Sequence, residues 1–218
     1  MCLDPFNNWS CPMKLYDYYR SSCAYRVRIA LAVKQLDYTA IKVDLTQDEQ
    51  HAATYLDTNP QALVPSLLDG DHIITQSLAI IEYLNEQYPT PPLLPASPLE
   101  RAQVRALALM IACDIHPLNN LRVLNTLRKD WQANPEQITQ WYHHWLKEGL
   151  SAIEQKLAKN TRKKLFCYTD SMTLADLCLI PQVYNAKRFE CSLEPYPIIQ
   201  SIYEHCTQLP VFISAAPQ

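Results

Sequence analysis

Apolar and polar residues alternate over positions 14–18, then switch to a helical rhythm over 24–34, where Val27 and Leu31 fall four apart with Ala30 beside them. That switch predicts a strand running into a helix. Between the two stands Arg20-Ser21-Ser22-Cys23, in which either Ser21 or Ser22 suits the helix N-cap. Alternation returns over 38–45, with Thr39, Ile41, Val43 and Leu45 on one face of a second strand. A short helical stretch over 48–57 stops at Asn59-Pro60. Positions 64–68 and 72–75 read as two more strands, and Asp69-Gly70-Asp71 between them is a hairpin signal. A helix over 76–87, carrying Leu78, Ile81, Tyr83 and Leu84, closes the segment. A parallel β-α-β unit followed by an antiparallel hairpin and a last helix is the thioredoxin-like arrangement, expected here over 13–88.

Beyond it the pattern changes twice. Four prolines within 89–95 forbid helix and favour a stiff extended linker over 89–97. From 98 to 218 the periodicity is helical throughout. The spacing predicts one long helix over 98–129, kinked at Pro117, and a second over 135–159. A third opens at Thr173 with a T-x-x-D capping box, flanked by Met172 and Leu177 at staple positions. The last clear helix covers 197–206. Residues 1–12 carry no periodicity and two breakers, Pro5 and Pro12, and read as a loose extension. The expected fold class is α/β plus all-α: an N-terminal thioredoxin-like domain followed by a C-terminal helical domain.

Composition narrows the chemistry. The 218 residues include 16 prolines and only 2 glycines, where average usage would give roughly 15. Gly70 and Gly149 stand 79 positions apart, so neither a P-loop nor a dinucleotide fingerprint exists. A net charge of −3 argues against nucleic acid as the main partner. No apolar run reaches the length of a membrane span, and the first residues lack the basic start and apolar stretch of a secretory leader. A cytoplasmic address is the expectation. None of the eight cysteines forms a C-x-x-C pair, and the adjacent His143 and His144 point to different helix faces, so no metal site is predicted. Most cysteines are expected to be small buried hydrophobes in a reducing compartment.

Cys23 is set apart from the others. It follows Ser21 and Ser22 at a strand-to-helix junction, where hydroxyls, first-turn N–H groups and the positive end of the helix dipole favour an anion or a thiolate. The segment alone reads equally as a capped helix with Cys23 packed beneath it. Val64-Pro65 is an X-Pro bond which, if cis, would present the backbone of Val64 to a ligand's main chain. Gln76-Ser77 opens a helix, and Ser77 there suits either a carboxylate or a simple cap.

The run Arg-Ser-Ser-Cys-Ala-Tyr-Arg-Val-Arg-Ile-Ala-Leu over 20–31 closely resembles the signature of zeta-class glutathione transferases, the maleylacetoacetate isomerases. The resemblance continues through Asn59-Pro60, Leu63-Val64-Pro65, the segments 76–84, 114–121 and 173–177, Pro181-Gln182-Val183, and Asn185-Ala186-Lys187-Arg188-Phe189. It implies a glutathione cofactor whose sulfur lies among Ser21, Ser22 and Cys23, with a serine hydroxyl on the thiolate and Cys23 in a supporting role. Val64, before a cis Pro65, would pair with the cysteinyl backbone, and Gln76 and Ser77 would hold the γ-glutamyl end. Gln50 matches a further glutathione contact, and His116, Asn120 and Arg122 fall where the family lines the site. His116 and Arg122 stand where some members carry glutamine and serine.

Arg188 matches the family's clamp for a substrate carboxylate, a task that suits the guanidinium fork. The implied reaction is cis–trans isomerisation of maleylacetoacetate to fumarylacetoacetate, in tyrosine and phenylalanine catabolism, by reversible thiolate addition. Implied partners are a small anionic substrate and glutathione, with neither nucleic acid nor membrane, in a homodimer. The same pocket suits maleylpyruvate isomerisation, or a general transferase or α-haloacid dehalogenase. A non-catalytic glutathione-binding module would not be expected to keep both serines.

Overall fold

The computed structural model describes residues 12–159 and 165–217. The extension expected over 1–12 therefore lies outside the described residues apart from Pro12, as do Cys2 and Cys11. Two compact units are present. The first runs to Pro91 and takes in the chain again from Ser214; the second is Pro92–Ile213.

In the first unit, β1 (Met13–Asp17) leads into α1 (Ser22–Lys34), and β2 (Tyr38–Lys42) returns parallel to β1 with Leu15 opposite Ala40. A short 3₁₀ turn, Glu49–His51, and α2 (Ala53–Leu56) follow. β3 (Ser66–Asp69) and β4 (His72–Thr75) form an antiparallel hairpin, and α3 (Ser77–Gln87) ends the unit's helices. Strand order is β2-β1-β3-β4, the arrangement the β-α-β and β-β-α patterns predict. Gly70 takes the left-handed conformation (φ 57°) that the hairpin turn requires. β2 ends three residues before the expected position 45, although Val43 stays buried. It is the edge strand, so its polar positions Thr39 and Lys42 face solvent and only one neighbour holds it.

Alternation along β1 sends Met13 and Leu15 to a buried face with Leu67. The opposite side carries a second cluster of Tyr18, Val43, Tyr55 and Val64, with Tyr16 and Leu45 against it. Lys34 is buried with its ammonium donating to Asn85 Oδ1 (3.0 Å) and to the carbonyls of Tyr88 and Pro91 (both 2.5 Å). Three acceptors satisfy its three protons, and they fix the start of the proline-rich segment, where Thr90–Pro91 is cis.

The second unit contains α4 (Pro98–Leu109), α5 (Leu121–Lys129), α6 (Pro135–Ala158), α7 (Leu174–Arg188) and α8 (Pro197–Cys206). The single kinked helix expected over 98–129 is instead broken. After Leu109 the ladder widens to a π-type stretch, Met110–Ile115, in which the His116 N–H donates to the Ile111 carbonyl five residues back (2.9 Å). Pro117 has no N–H to continue it, a 3₁₀ turn (Pro117–Asn119) intervenes, and Asn120 caps α5 afresh. The T-x-x-D box is present at α7: the fully buried Asp176 carboxylate accepts from Thr173 N (2.8 Å), Thr173 Oγ1 (2.9 Å) and Cys167 N (2.7 Å). A further helix, α9 (Pro210–Ala215), was not expected from periodicity; six residues are too few to establish one.

Of the described cysteines, Cys167, Cys178 and Cys206 are buried, whereas Cys23 and Cys191 are half-buried and Cys113 is exposed. Cys113 stands two residues from the buried Ile111, and so on the outward face of the π-type stretch. Among the described residues no helix is long and apolar enough to cross a membrane, and no group of three or more His, Cys, Asp or Glu is placed to hold a metal ion.

Candidate active site

At the start of α1 the structure resolves the choice between the two serines. Ser21 has extended backbone (φ −69°, ψ 117°), and its Oγ accepts the Ala24 N–H at 3.2 Å, so Ser21 is the cap. Ser22 is the first helical residue and 4% exposed, and half-buried Cys23 follows it. First-turn N–H groups have no acceptor inside a helix, and α1, at 13 residues, presents the positive end of its dipole at this thiol.

One turn further along α1 stands Arg26, 1% exposed. Its Nη1 donates to Cys23 Sγ (3.7 Å) and to Ser77 Oγ (3.4 Å), while Nε and Nη2 have no hydrogen-bond partner. Ser77 is buried and is the first residue of α3. Gln76, just before it, has φ 70° and ψ 116°, a conformation that disfavours any residue but glycine. Its side chain does not cap α3; Nε2 donates instead to Gln61 Oε1 (2.8 Å).

The Val64–Pro65 bond is cis, as the resemblance implies. Before it, the Leu63 carbonyl accepts from the Tyr55 hydroxyl (2.6 Å) and from Asn59 Nδ2 (2.7 Å). After it, β3 begins only at Ser66, which leaves the Val64 peptide outside the strand ladder. Gln50 sits in the 3₁₀ turn, where Nε2 donates to Asp48 Oδ1 (2.7 Å) and its buried Oε1 has no partner.

The remaining predicted residues lie in the second unit. His116 follows the π-type stretch, and its Nε2 meets Asn120 Nδ2 at 3.3 Å. Asn120 Oδ1 accepts the Arg122 N–H (3.1 Å), and the Arg122 side chain is exposed. Arg188, also exposed, is the last residue of α7; its Nη1 donates to Asn185 Oδ1 (3.1 Å) and its guanidinium lies 5.9 Å from the Phe189 ring centre. Phe189 in turn stacks on Tyr142 at 3.7 Å. A cavity of about 710 Å³ in this unit is lined by other residues, among them Glu100, Lys156 and Tyr168.

Residues 11–86 match the family model of the glutathione S-transferase N-terminal domain. A probable maleylacetoacetate isomerase of Vibrio cholerae is 48% identical over 206 residues, covering 94% of this chain and 95% of that protein. The solved holo structure of a maleyl pyruvate isomerase, a bacterial glutathione S-transferase in the zeta class, superposes with a TM-score of 0.92 at 44% identity, over 94% of this chain and 96% of that one. The chain belongs to the zeta class of the glutathione transferase family. Another family member, maleylacetoacetate isomerase from Anaeromyxobacter dehalogenans 2CP-1, carries dicarboxyethyl glutathione and citrate in its active site. It superposes with a TM-score of 0.83 at 38% identity, over 94% of each chain.

Sequence reasoning did not single out the buried Arg26. The signal was there: an arginine three residues after Cys23, and so on the same helix face, with the apolar Val27 and Ala30 beside it. A charge inside an apolar stripe needs a partner.

Proposed function

We propose that this chain is a glutathione-dependent cis–trans isomerase that converts maleylacetoacetate to fumarylacetoacetate. The observation that carries the reading is the arrangement around Arg26, which ties a capped thiol-bearing helix start to a second helix start at Ser77. Glutathione is a thiol with a free carboxylate at its γ-glutamyl end, and these two loci match those two groups. The Val64 peptide lies outside the ladder, which supports its pairing with the main chain between them. Bound glutathione supplies a thiol that adds reversibly across the cis double bond, so that the bond rotates before the thiol leaves unchanged.

The chain's own residues then have three tasks. Ser21 keeps its hydroxyl proton for a sulfur anion, because its Oγ lone pair already accepts from Ala24 N. Ser77 and the start of α3 hold a carboxylate, assisted by Gln76. Arg188 offers an exposed guanidinium group to an anionic substrate, while His116, Asn120 and Arg122 are assigned to glutathione. The dicarboxyethyl thioether bound by the Anaeromyxobacter relative supports this chemistry. It is the covalent form a thiol takes after adding across a four-carbon unsaturated diacid. The same reading assigns Gln50 to glutathione. It also includes a place in tyrosine and phenylalanine catabolism, a cytoplasmic address and a homodimeric state, all from the family resemblance.

A second reading, maleylpyruvate isomerase, is favoured by the 0.92 TM-score to a maleyl pyruvate isomerase. Both readings are tested by following the isomerisation of each acid with and without glutathione. The faster acid decides between them. Turnover without glutathione would eliminate thiol addition, and glutathione binding without turnover on either acid would leave a binding module.

A further inference from the structure

Two successive residues of α6 grip Phe189, the residue after Arg188. Its ring stacks on that of the buried Tyr142, with centres 3.7 Å and planes 15° apart. Its carbonyl meets Nε2 of the half-buried His143 at 2.6 Å. A carbonyl only accepts, so Nε2 carries the proton and donates it. At this point α7 ends in a Schellman turn: the Cys191 N–H donates to the Ala186 carbonyl (2.9 Å) and the Glu190 N–H to that of Lys187 (3.0 Å). The left-handed position of such a turn is usually glycine, yet Glu190 occupies it with φ 56°. A residue with a Cβ persists there when its surroundings over-determine it. The hold of α6 on both the ring and the carbonyl of Phe189 supplies that constraint.

Arg188 is the last helical residue before the turn. Its Nη1 donates to Asn185 Oδ1 (3.1 Å), and its guanidinium lies 5.9 Å from the Phe189 ring centre. Phe189 therefore touches Arg188 on one side and α6 on the other. An exposed arginine loses rotamer freedom when it binds a ligand, so a guanidinium oriented in advance binds more tightly. We infer that His143 is a positioning residue for Arg188: through the Phe189 carbonyl it fixes the end of α7, and with it the ring against which the guanidinium rests. The inference rests on the reading above, in which Arg188 receives the substrate carboxylate.

The test is the steady-state kinetics of glutathione-dependent isomerisation by the full chain, with whichever of the two acids is turned over faster. His143→Leu, which keeps the bulk and loses the donor, is expected to raise KM for the acid about three- to tenfold, the scale of one hydrogen bond. Both kcat and KM for glutathione stay within about twofold, which a general loss of structure would not allow. His143→Gln, whose amide still donates, recovers most of the loss. Arg188→Met raises KM for the acid about tenfold or more, and adding His143→Leu to it changes KM by less than about twofold, because both act through one guanidinium. His143→Ala serves in the same comparisons if His143→Leu does not fold. An unchanged KM in His143→Leu, a matching rise in KM for glutathione, no recovery in His143→Gln, or effects that multiply in the double variant would overturn the inference and leave Arg188 as the clamp. An unchanged KM in Arg188→Met would remove the clamp itself, and the inference with it.

Discussion

Gly149 of α6 lies directly against Ile115: a methyl group at its Cα would stand 2.2 Å from both Cγ1 and Cδ1 of Ile115. Ile115 is the last residue of the π-type stretch and has no exposed surface. The glycine therefore sets how closely that stretch approaches α6. Alanine in place of a helical glycine normally stabilises by about 1 kcal/mol. Here the expected sign is reversed: Gly149→Ala lowers unfolding stability by about 1–3 kcal/mol through overpacking. Chemical denaturation checks it, and in an Ile115→Ala background the penalty should vanish. A stabilised Gly149→Ala would show that the approach is not close.

Arg28 gathers a different set of partners. It makes a bidentate pair with Asp17 (2.7 and 2.8 Å), and donates to the carbonyls of Tyr19 (3.0 Å) and Ala215 (2.8 Å). The side chains of Arg28 and Asp17 are only 9% and 12% exposed, so solvent screens the pair little. Asp17→Ala leaves a buried charge without its counterion and is expected to lower stability by about 3 kcal/mol. Replacing both residues by Met and Leu should recover most of that loss. A single-variant loss below about 1 kcal/mol would assign the pair to the weak class of surface bridges.

The strands and most helices were legible because each signal was local. Leu15 alternates within its strand, Asp69-Gly70-Asp71 forces a hairpin, and Thr173 with Asp176 caps a helix within four residues. What escaped was set by non-local packing. The π-type stretch Met110–Ile115 packs through Ile115 against Gly149, more than thirty positions away, and nothing in the local rhythm of 104–118 announces it. The candidate site segment was visible as Arg20-Ser21-Ser22-Cys23, but the choice of Ser21 over Ser22 as cap depended on one backbone torsion. Arg26 could be seen as an anomaly in an apolar stripe, yet its link to Ser77 spans 51 positions and exists only in the fold.

Tyr83 gives the fold an alkaline limit. Its hydroxyl donates to Asp69 Oδ2 at 2.7 Å, and burial, reinforced by that carboxylate, pushes its pKa up to about 12. Below pH 10 the phenol is protonated in both folded and unfolded chains. Between about 10 and 12 the unfolded phenol ionises while the folded one keeps its proton, so stability falls with rising pH in that window. Tyr83→Phe removes this component of the alkaline loss. In a phenolate absorbance titration, the difference between the two proteins should be centred near pH 12. A difference centred near pH 10, the ordinary value, would mean that Asp69 does not hold the proton.

Ser21 caps α1, and the proposed function gives it a second role that substitution would separate from the first. Its Oγ accepts the Ala24 N–H, which caps α1, and in the proposed function its proton would go to the sulfur of bound glutathione. Ser22, 4% exposed inside the first turn, is less accessible to a ligand. Ser21→Ala is therefore expected to lower stability by about 1 kcal/mol and turnover by about 10²-fold, the scale seen when one preorganised donor to a developing anion is lost. Ser22→Ala should change turnover far less. Ser21→Asn decides which role matters for catalysis, because asparagine is as good a cap as serine but carries no hydroxyl. Stability should return while turnover stays low, and the thiolate absorbance of bound glutathione should titrate at higher pH than in the unmodified protein. Equal, mild losses in Ser21→Ala and Ser22→Ala, or full recovery of turnover in Ser21→Asn, would place the anion's donor elsewhere, with the first-turn N–H groups of α1 as the remaining source.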